Sequence, residues 1–403
     1  MTTTTTAPTL AAPPPRDARR VLALLQHLQV GSLDLQTPDG EMLHFGIPRA
    51  QPHAALRIAD WRVCTAALKS GDVGFAESYV DGHWTTPDLR ALLALFISNR
   101  TALESLVYGG FWGGLLHRVR HLLNRNTRTG SRKNIHAHYD LGNSFYQLWL
   151  DPTMNYSSAW FDGQPHTPLA DAQQAKMRRA LAEAGVTPGS RVLEIGCGWG
   201  AIAEVAARDF HASLTGVTLS TEQLAWAQDR LGRAGLHADL RLQDYRDIAD
   251  EPFDALVSIE MFEAVGREYW DGYFRTVRDK LKPGGRACIQ SITIRDDLFD
   301  RYVRSTDFIQ QYIFPGGLLP SPSQFRRHAE KAGLRVINEL AFGADYAETL
   351  RRWREDFLRH EGPVRGLGFD TRFMRLWEFY LAYCEAAFEA GNTDVMQFTL
   401  VRA

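Results

Sequence analysis

Cysteine is scarce in this chain. The four in 403 residues, Cys64, Cys197, Cys288 and Cys384, lie far apart and form no C-x-x-C pair, which argues against a disulfide framework or a structural zinc and fits reduced thiols in a cytosolic protein. An excess of charge of one sign is missing too. Lys and Arg number 45 against 47 Asp and Glu, a formal net charge of -2, so nothing global points to a nucleic-acid partner. No apolar run approaches the roughly 20 residues that a membrane-crossing helix requires. The N-terminus, threonines at 2–6 and prolines at 13–15, lacks the apolar core of a signal peptide, and its composition predicts a disordered lead over residues 1–17. There is no internal repeat. One further absence is local: residues 105–139 contain no Asp or Glu.

The length predicts one large domain and a smaller one. Residues 18–124 read as a small α+β domain: a helix over 18–29, a hairpin-like "LDLQTPDGEMLHFG" whose Asp39-Gly40 suits a tight turn, and helices near 60–70 and 88–98. No catalytic cluster stands out there. From Arg191 the pattern becomes strand, helix, strand, helix: "RVLEI", "AIAEVAARDF", "HASLTGVTLS", "TEQLAWAQDRLGRAG", "ADLRLQDY", "FDALVSIE", "YWDGYFRTVRDKLKPGG", "RACIQSITI". Such alternation means a parallel sheet covered on both faces. "LRVINEL" and "VMQFTLVRA" supply antiparallel edge strands.

The junction "LEIGCGWG" concentrates the chemistry. Where a parallel strand meets a helix, backbone N–H groups and the helix dipole face a crevice, and a residue without Cβ lets a ligand approach closely. The E-x-G-x-G-x-G spacing from Glu194 through Gly196 and Gly198 to Gly200 is not the dinucleotide G-x-G-x-x-G. A bland reading, a tight turn, would need one glycine or two.

The ordered motifs "LEIGCGWG", "VTLSTEQ", "QDYRDI", "MFEAVG" and "FGADY" resemble the S-adenosylmethionine-dependent cyclopropane-fatty-acyl-phospholipid synthase family. "HAHYDLGNSFYQLWLDPTMNYSSAWF" and "QQYIFPGGLLPS" extend the resemblance over residues 130 to 403. It implies a Rossmann-like class I methyltransferase domain at 125–403 with a mostly parallel seven-stranded sheet, preceded by the smaller α+β domain. S-adenosylmethionine is the implied cofactor. Gly196 and Gly198 would lie under it, Thr218 and Gln223 reach its ribose, Asp244 and Tyr245 stand at the adenine end, and Tyr156 and Ser157 close over the amino-acid tail. Asp244 as a cap and Gln223 as a solvated helix residue are the bland alternatives.

In that family an unsaturated acyl chain accepts the methyl group through a carbocation, which demands positioning and exclusion of water. Aromatic rings help with both. A bicarbonate ion then takes a proton, held by a Cys-containing loop, a Glu, a His and a Tyr. Glu263 and Tyr346 match that set, whereas Ser158 replaces the Cys and Gln290 the His. Loss of the His removes a switchable proton partner. Bicarbonate displaced or held differently would allow a methylene-branched product in place of a ring. Glu263, after an apolar strand end, would have a raised pKa and could accept the proton itself or orient the anion; a carboxylate paired for structure is its bland reading.

Residues 105–139 hold Arg118, Arg120, Arg125, Arg128, Arg132 and Lys133 among apolar residues at helical spacing. Such a stretch either sits at an anionic membrane surface, where each cation adds about 1 kcal/mol, or is a solvated helix between domains. The expected partner is an unsaturated phospholipid acyl chain, reached by a cytoplasmic enzyme peripheral to the inner face of the membrane. The resemblance implies a homodimer. Two other readings stay open: methyl- or methylene-branched products from the same machinery, and a non-catalytic lipid-binding protein of the same fold. Methylation of a small molecule at nitrogen or oxygen is disfavoured by the motif order.

Overall fold

The computed structural model describes residues 13–103 and 141–402. The chain divides into two compact units, Met1–Leu115 and Leu116–Ala403. The basic stretch, the expected domain boundary at 124, "HAHYD" and the first twelve residues of the lead lie outside the described residues.

In the first unit, the opening helix Arg16–Leu25 starts two residues inside the expected lead, with Asp17 in its first turn and accepting a hydrogen bond from Thr65 Oγ1 at 2.9 Å. Strands β1 (Ser32–Gln36) and β2 (Met42–Gly46) form the expected antiparallel hairpin. Gly40 in its turn has φ of 91°, a conformation that favours glycine. Strands β3 (His53–Ile58) and β4 (Trp84–Thr85) complete a sheet of order β2-β1-β3-β4. The helix expected near 60–70 starts at Arg62, and Gly71 (φ 63°, ψ -136°) interrupts the helical backbone there before a second helical run reaches Val80. The helix Leu89–Ser98 is capped by Asp88, whose side chain accepts from Ala91 N.

The second unit is built on seven strands: β5 (Arg191–Ile195), β6 (Ser213–Thr218), β7 (Asp239–Leu242), β8 (Phe253–Ile259), β9 (Leu281–Ile294), β10 (Leu334–Ala341) and β11 (Thr393–Arg402). Their order is β10-β11-β9-β8-β5-β6-β7, parallel from β7 to β9, with β11 antiparallel to both its neighbours. The mostly parallel sheet is therefore as expected, except that β11 is inserted between β9 and β10 and is no edge. Both faces are covered, as the near-continuous apolar strands require. Val192, Leu214, Val257 and Cys288 face one core with Met177, Ile202 and Val205. Leu193, Leu256 and Ile289 face the other with Phe262, Trp270, Phe274 and Phe325. Val192 and Leu193 turn to opposite sides, the period of two that places strand residues. "LKPGG", read as the tail of a helix, belongs to β9: the helix stops at Asp279, and a register shift against β8 takes up the extra residues.

Candidate active site

The first strand of the parallel sheet runs into the glycine turn, where Gly196 (φ 87°), Gly198 (φ 49°) and Gly200 (φ 81°) all adopt left-handed backbone. Gly196 N and Cys197 N both donate to Val217 O at 3.0 Å, tying the turn to β6. The three glycines do different work. A Cβ at Gly198 would meet nothing within 4 Å, one at Gly196 would come 2.9 Å from Met261 Cγ, and one at Gly200 would press within 2.8 Å of Ala227 Cβ. Only Gly198 presents bare backbone to open space. At Gly200 the helix Thr221–Arg233 packs where a side chain would stand. Just before the turn, Glu194 is buried and its Oε2 has no hydrogen-bond partner. Burial pushes its carboxyl up to about 8, opposed by Lys176.

At the end of β6, Thr218 Oγ1 donates to Gln223 Oε1 at 3.1 Å and accepts from Ser220 N at 3.2 Å. Both residues are buried, so Gln223 is no solvated helix residue. Asp244 caps the short turn Tyr245–Asp247 and grips Arg246, with Nε to Oδ1 at 2.8 Å and Nη2 to Oδ2 at 2.5 Å. The bland cap is thus real, and the carboxylate already has a cationic partner. Tyr245 lies edge-on to Tyr273, ring centroids 5.6 Å apart.

A loop hangs across this edge of the sheet by its own backbone. Ser158 N donates to Glu260 Oε1 at 2.8 Å, Ala159 N to Thr349 Oγ1 at 3.2 Å and Phe161 N to Asp345 Oδ2 at 2.7 Å. Ser157 Oγ accepts from the buried Lys176 Nζ at 2.6 Å. That ammonium is pushed down to about 8 by burial, although Glu260, Asp151 and Glu194 oppose the shift. Tyr156 stands in an aromatic wall: Tyr146, Trp149 and Trp353 lie 5.4 to 5.6 Å away between centroids, and its hydroxyl pairs with that of Tyr380 at 2.7 Å.

Of the four residues expected around an anion, Ser158, Gln290 and Tyr346 converge on a residue that the motif reading passed over, and Glu263 does not. Glu260, one position beyond β8, receives Ser158 N and Gln290 Nε2 on Oε1 at 2.8 and 2.7 Å, and the Tyr346 hydroxyl on Oε2 at 2.7 Å. Its backbone has φ of 48°, a conformation that costs a non-glycine residue roughly 1–2 kcal/mol. Burial raises its pKa, while Lys176 and the three donors hold the charged form. Burial also raises the Tyr346 phenol well above its ordinary value, with Glu260 adding to the rise, so that it stays a donor. Glu263, the acid assigned from sequence, accepts from Ile292 N on Oε1 and leaves Oε2 buried without a partner. Burial first, and the Glu260 charge second, push it up to about 8.

The residues expected to hold bicarbonate therefore do not fit a free anion here. The single hydrogens of Ser158 N and the Tyr346 hydroxyl already serve the Glu260 carboxylate. Two more residues escaped the sequence. Gln397 Nε2 donates to Gln290 Oε1 at 3.0 Å, and Arg179 Nη1 donates to Gln397 Oε1, so a chain of side chains fixes which way the Gln290 amide points. The legible signal for Glu260 was an ionisable residue at the buried end of an apolar strand, three positions before the acid chosen. Gln397 showed only as a polar residue in the apolar run "VMQFTLV", and Lys176, in a helix rich in Gln and Arg, gave no signal.

Comparison with known proteins places this geometry. The family described as mycolic acid cyclopropane synthetase matches residues 126–398. Tuberculostearic acid methyltransferase UfaA1 of Mycobacterium tuberculosis is 40% identical over 83% of this chain and 80% of its own. The cyclopropane-fatty-acyl-phospholipid synthase of Escherichia coli is 35% identical over 87% of this chain and 88% of its own. Among solved structures, mycolic acid cyclopropane synthase CmaA1 complexed with SAH and CTAB is 32% identical, with a TM-score of 0.63 over 67% of this chain and 98% of that one. A coclaurine N-methyltransferase, at 18% identity, shares the fold (TM-score 0.63 over 82% of this chain and 99% of that one). With a class I methyltransferase sheet, a glycine turn at its first strand and these relatives, the chain belongs to the mycolic acid cyclopropane synthetase family and is an S-adenosylmethionine-dependent methyltransferase of the cyclopropane synthase type.

Proposed function

We propose that the chain transfers the methyl carbon of S-adenosylmethionine to the double bond of an unsaturated fatty acyl chain in a phospholipid. The observation that carries this reading is a pair of partly buried carboxylates, Glu260 and Glu263, set beside the glycine turn and an aromatic wall. Methylation of an alkene carbon needs a proton sink and a wall that tolerates cationic charge, worth about 0.5 to 2 kcal/mol per ring. Methylation of an amine or phenol would need neither so far withdrawn from water.

The cofactor, when bound, supplies an electrophilic methyl group. The bare backbone at Gly198, with Gly196 beside it, would lie under it; Thr218 and Gln223 would meet the ribose, and Asp244 and Tyr245 the adenine end. Tyr156 and Ser157 would close the amino-acid end, near the unpartnered Glu194 oxygen. Asp244 can serve only after sharing its carboxylate with Arg246.

Two products have the same mass: a three-membered ring and a methylene branch. The relatives named as cyclopropane synthases support the ring. The methylene branch is the second reading, supported by the relative named for methyl transfer and by Ser158 and Gln290, which replace the family's Cys and His. Attachment at the inner membrane surface is supported by the cations of residues 105–139 alone; no described helix is long and apolar enough to cross a membrane. A homodimer rests on the family's habit, and size-exclusion with light scattering tests it.

Incubation with methyl-labelled S-adenosylmethionine and vesicles of dioleoyl-phosphatidylglycerol, followed by gas chromatography and mass spectrometry of the released fatty acids, should find label in an acyl chain. Retention against ring and methylene standards separates the products. Label in a soluble amine or phenol, with none in lipid, would sink the proposal.

A further inference from the structure

We infer that the Glu260 carboxylate is this enzyme's built-in proton acceptor, and that it occupies the cradle which would otherwise hold a dissolved anion. The inference rests on the alkene reading above, in which the proton leaves carbon and needs a base fixed beside the reacting methyl group.

Four observations carry it. The cradle is built: a backbone N–H, a carboxamide and a phenol from three separate parts of the second unit point at one carboxylate, at 2.8, 2.7 and 2.7 Å. Its occupant belongs to the chain: Glu260 N donates to Gln290 O at 2.8 Å, and the left-handed backbone at this residue turns its side chain back over β9. Its orientation is fixed from behind, because Arg179 holds Gln397, Gln397 holds the Gln290 oxygen, and the Gln290 amide is left with its N–H toward Glu260. Its place is beside the cofactor turn, since the next residue, Met261, fills the space where Gly196 would carry a Cβ.

The two acids divide the labour. Glu260 has three donors and the Lys176 charge to stabilise its anion, while Glu263 has Ile292 N on one oxygen, a second oxygen buried without a partner, and the Glu260 charge against it. Glu260 is therefore the base and Glu263 the acid that keeps its proton, the separation expected of paired carboxyls in unequal surroundings. Gln290, Gln397 and Arg179 are positioning residues.

The electrons balance without a further reagent. The alkene π pair forms the new carbon–carbon bond to the methyl group, and the pair of the broken sulfur–carbon bond stays on sulfur as a thioether. The other alkene carbon is left cationic. A C–H pair of the new methyl then closes the ring, or, after a 1,2-hydride shift, forms the C=CH2 double bond of a methylene branch. In either case the proton passes to a Glu260 oxygen, whose carboxylate becomes a carboxylic acid and later releases it to solvent.

The test has one arm that needs no lipid. Titration of the full chain with 13C-labelled bicarbonate, read by NMR line width, should show no saturable binding to the wild type. Glu260→Gly, which relieves the backbone and empties the cradle, should bind it. Saturable binding to the wild type overturns the inference, whatever the substrate proves to be. In the second arm, label transfer to dioleoyl-phosphatidylglycerol vesicles is measured in buffer freed of carbon dioxide. The wild type should keep its rate, Glu260→Gln should fall at least about 100-fold while calorimetric affinity for S-adenosylhomocysteine stays within about threefold, and Glu260→Gly should recover rate when bicarbonate is added. A wild-type rate that collapses without bicarbonate and returns with it, or a Glu260→Gln enzyme as fast as the wild type, overturns the inference. Label transferred only to a non-lipid acceptor counts against the alkene reading, and is distinguished from the failure of Glu260 by the binding arm.

Discussion

The two edges of the large sheet treat the same kinds of side chain in opposite ways. At the amino edge, carboxylates meet cations in the open: Asp254 pairs with Lys282 at 2.5 Å and accepts Arg191 N at 2.8 Å, and Asp250 pairs with Arg241 at 2.7 Å. Hydrogen bonds from those partners hold both carboxyls below the usual range. At the carboxyl edge, Glu194 and Glu263 are withdrawn from water and pushed up to about 8, and Lys176 is pushed down to about 8. A cavity opens at the amino edge, lined by Arg191, Ser213, His237, Asp239 and Phe253, yet no buried acid faces it among those residues. Concavity alone does not mark the chemistry. Buried charge with chosen partners does.

The sharpest way to break this contrast is at Glu260. Replacing it by Gln keeps the shape and removes the base, and turnover should fall by roughly 10²–10⁴. The same change at Asp254 should leave turnover alone.

Acid and alkali should also separate the edges. Glu194 and Glu263 keep protons in the folded chain up to about pH 8 that the unfolded chain sheds near 4.5. Their contribution is full below about 4.5 and is lost as pH rises toward 8. Asp254, lowered from 3.8, contributes above that value and loses its contribution as pH falls through its folded pKa. Lys176 has released its proton in the folded chain above about 8 while the unfolded chain holds it to 10.5, so its term rises with pH across that window. Urea midpoints from pH 5 to 8 should decline in the wild type and decline less in Glu263→Gln. An unchanged slope in that variant would remove Glu263 from the buried set.

Next in size come the glycines. Gly200→Ala presses on Ala227 in a left-handed backbone, and should lower stability by roughly 1–3 kcal/mol in thermal unfolding. Gly198→Ala meets open space and should instead weaken S-adenosylhomocysteine binding in calorimetry. Smallest is Asp254→Asn at the amino edge, about 0–1 kcal/mol by urea unfolding, as for other half-exposed ion pairs.

Periodicity made the scaffold legible. Val192 and Leu193 serve opposite cores, as strand alternation demands, and the strands from β5 to β9 lie on the apolar runs of the sequence. The glycine turn was legible as a place, but its three glycines looked equivalent, because nothing in the sequence says that Ala227 lies against Gly200. Pro283-Gly284-Gly285 read as the tail of a helix and is instead a bulge inside β9, held by ladder bonds on either side. At the site, the motif located Glu263 and missed Glu260, since a left-handed glutamate is written with the same letter as any other. Its partners are contributed by residues 158, 290 and 346, a convergence that only the tertiary structure supplies.

The insertion of β11 between β9 and β10 ties this arrangement to the pairing of one strand. Gln397, which aims the Gln290 amide, sits on a strand that follows its two partners in sequence and pairs with both. The proton-handling network is whole only while that strand is paired, so a sheet with its glycine turn formed but β11 unpaired lacks the aligned base that would let it react.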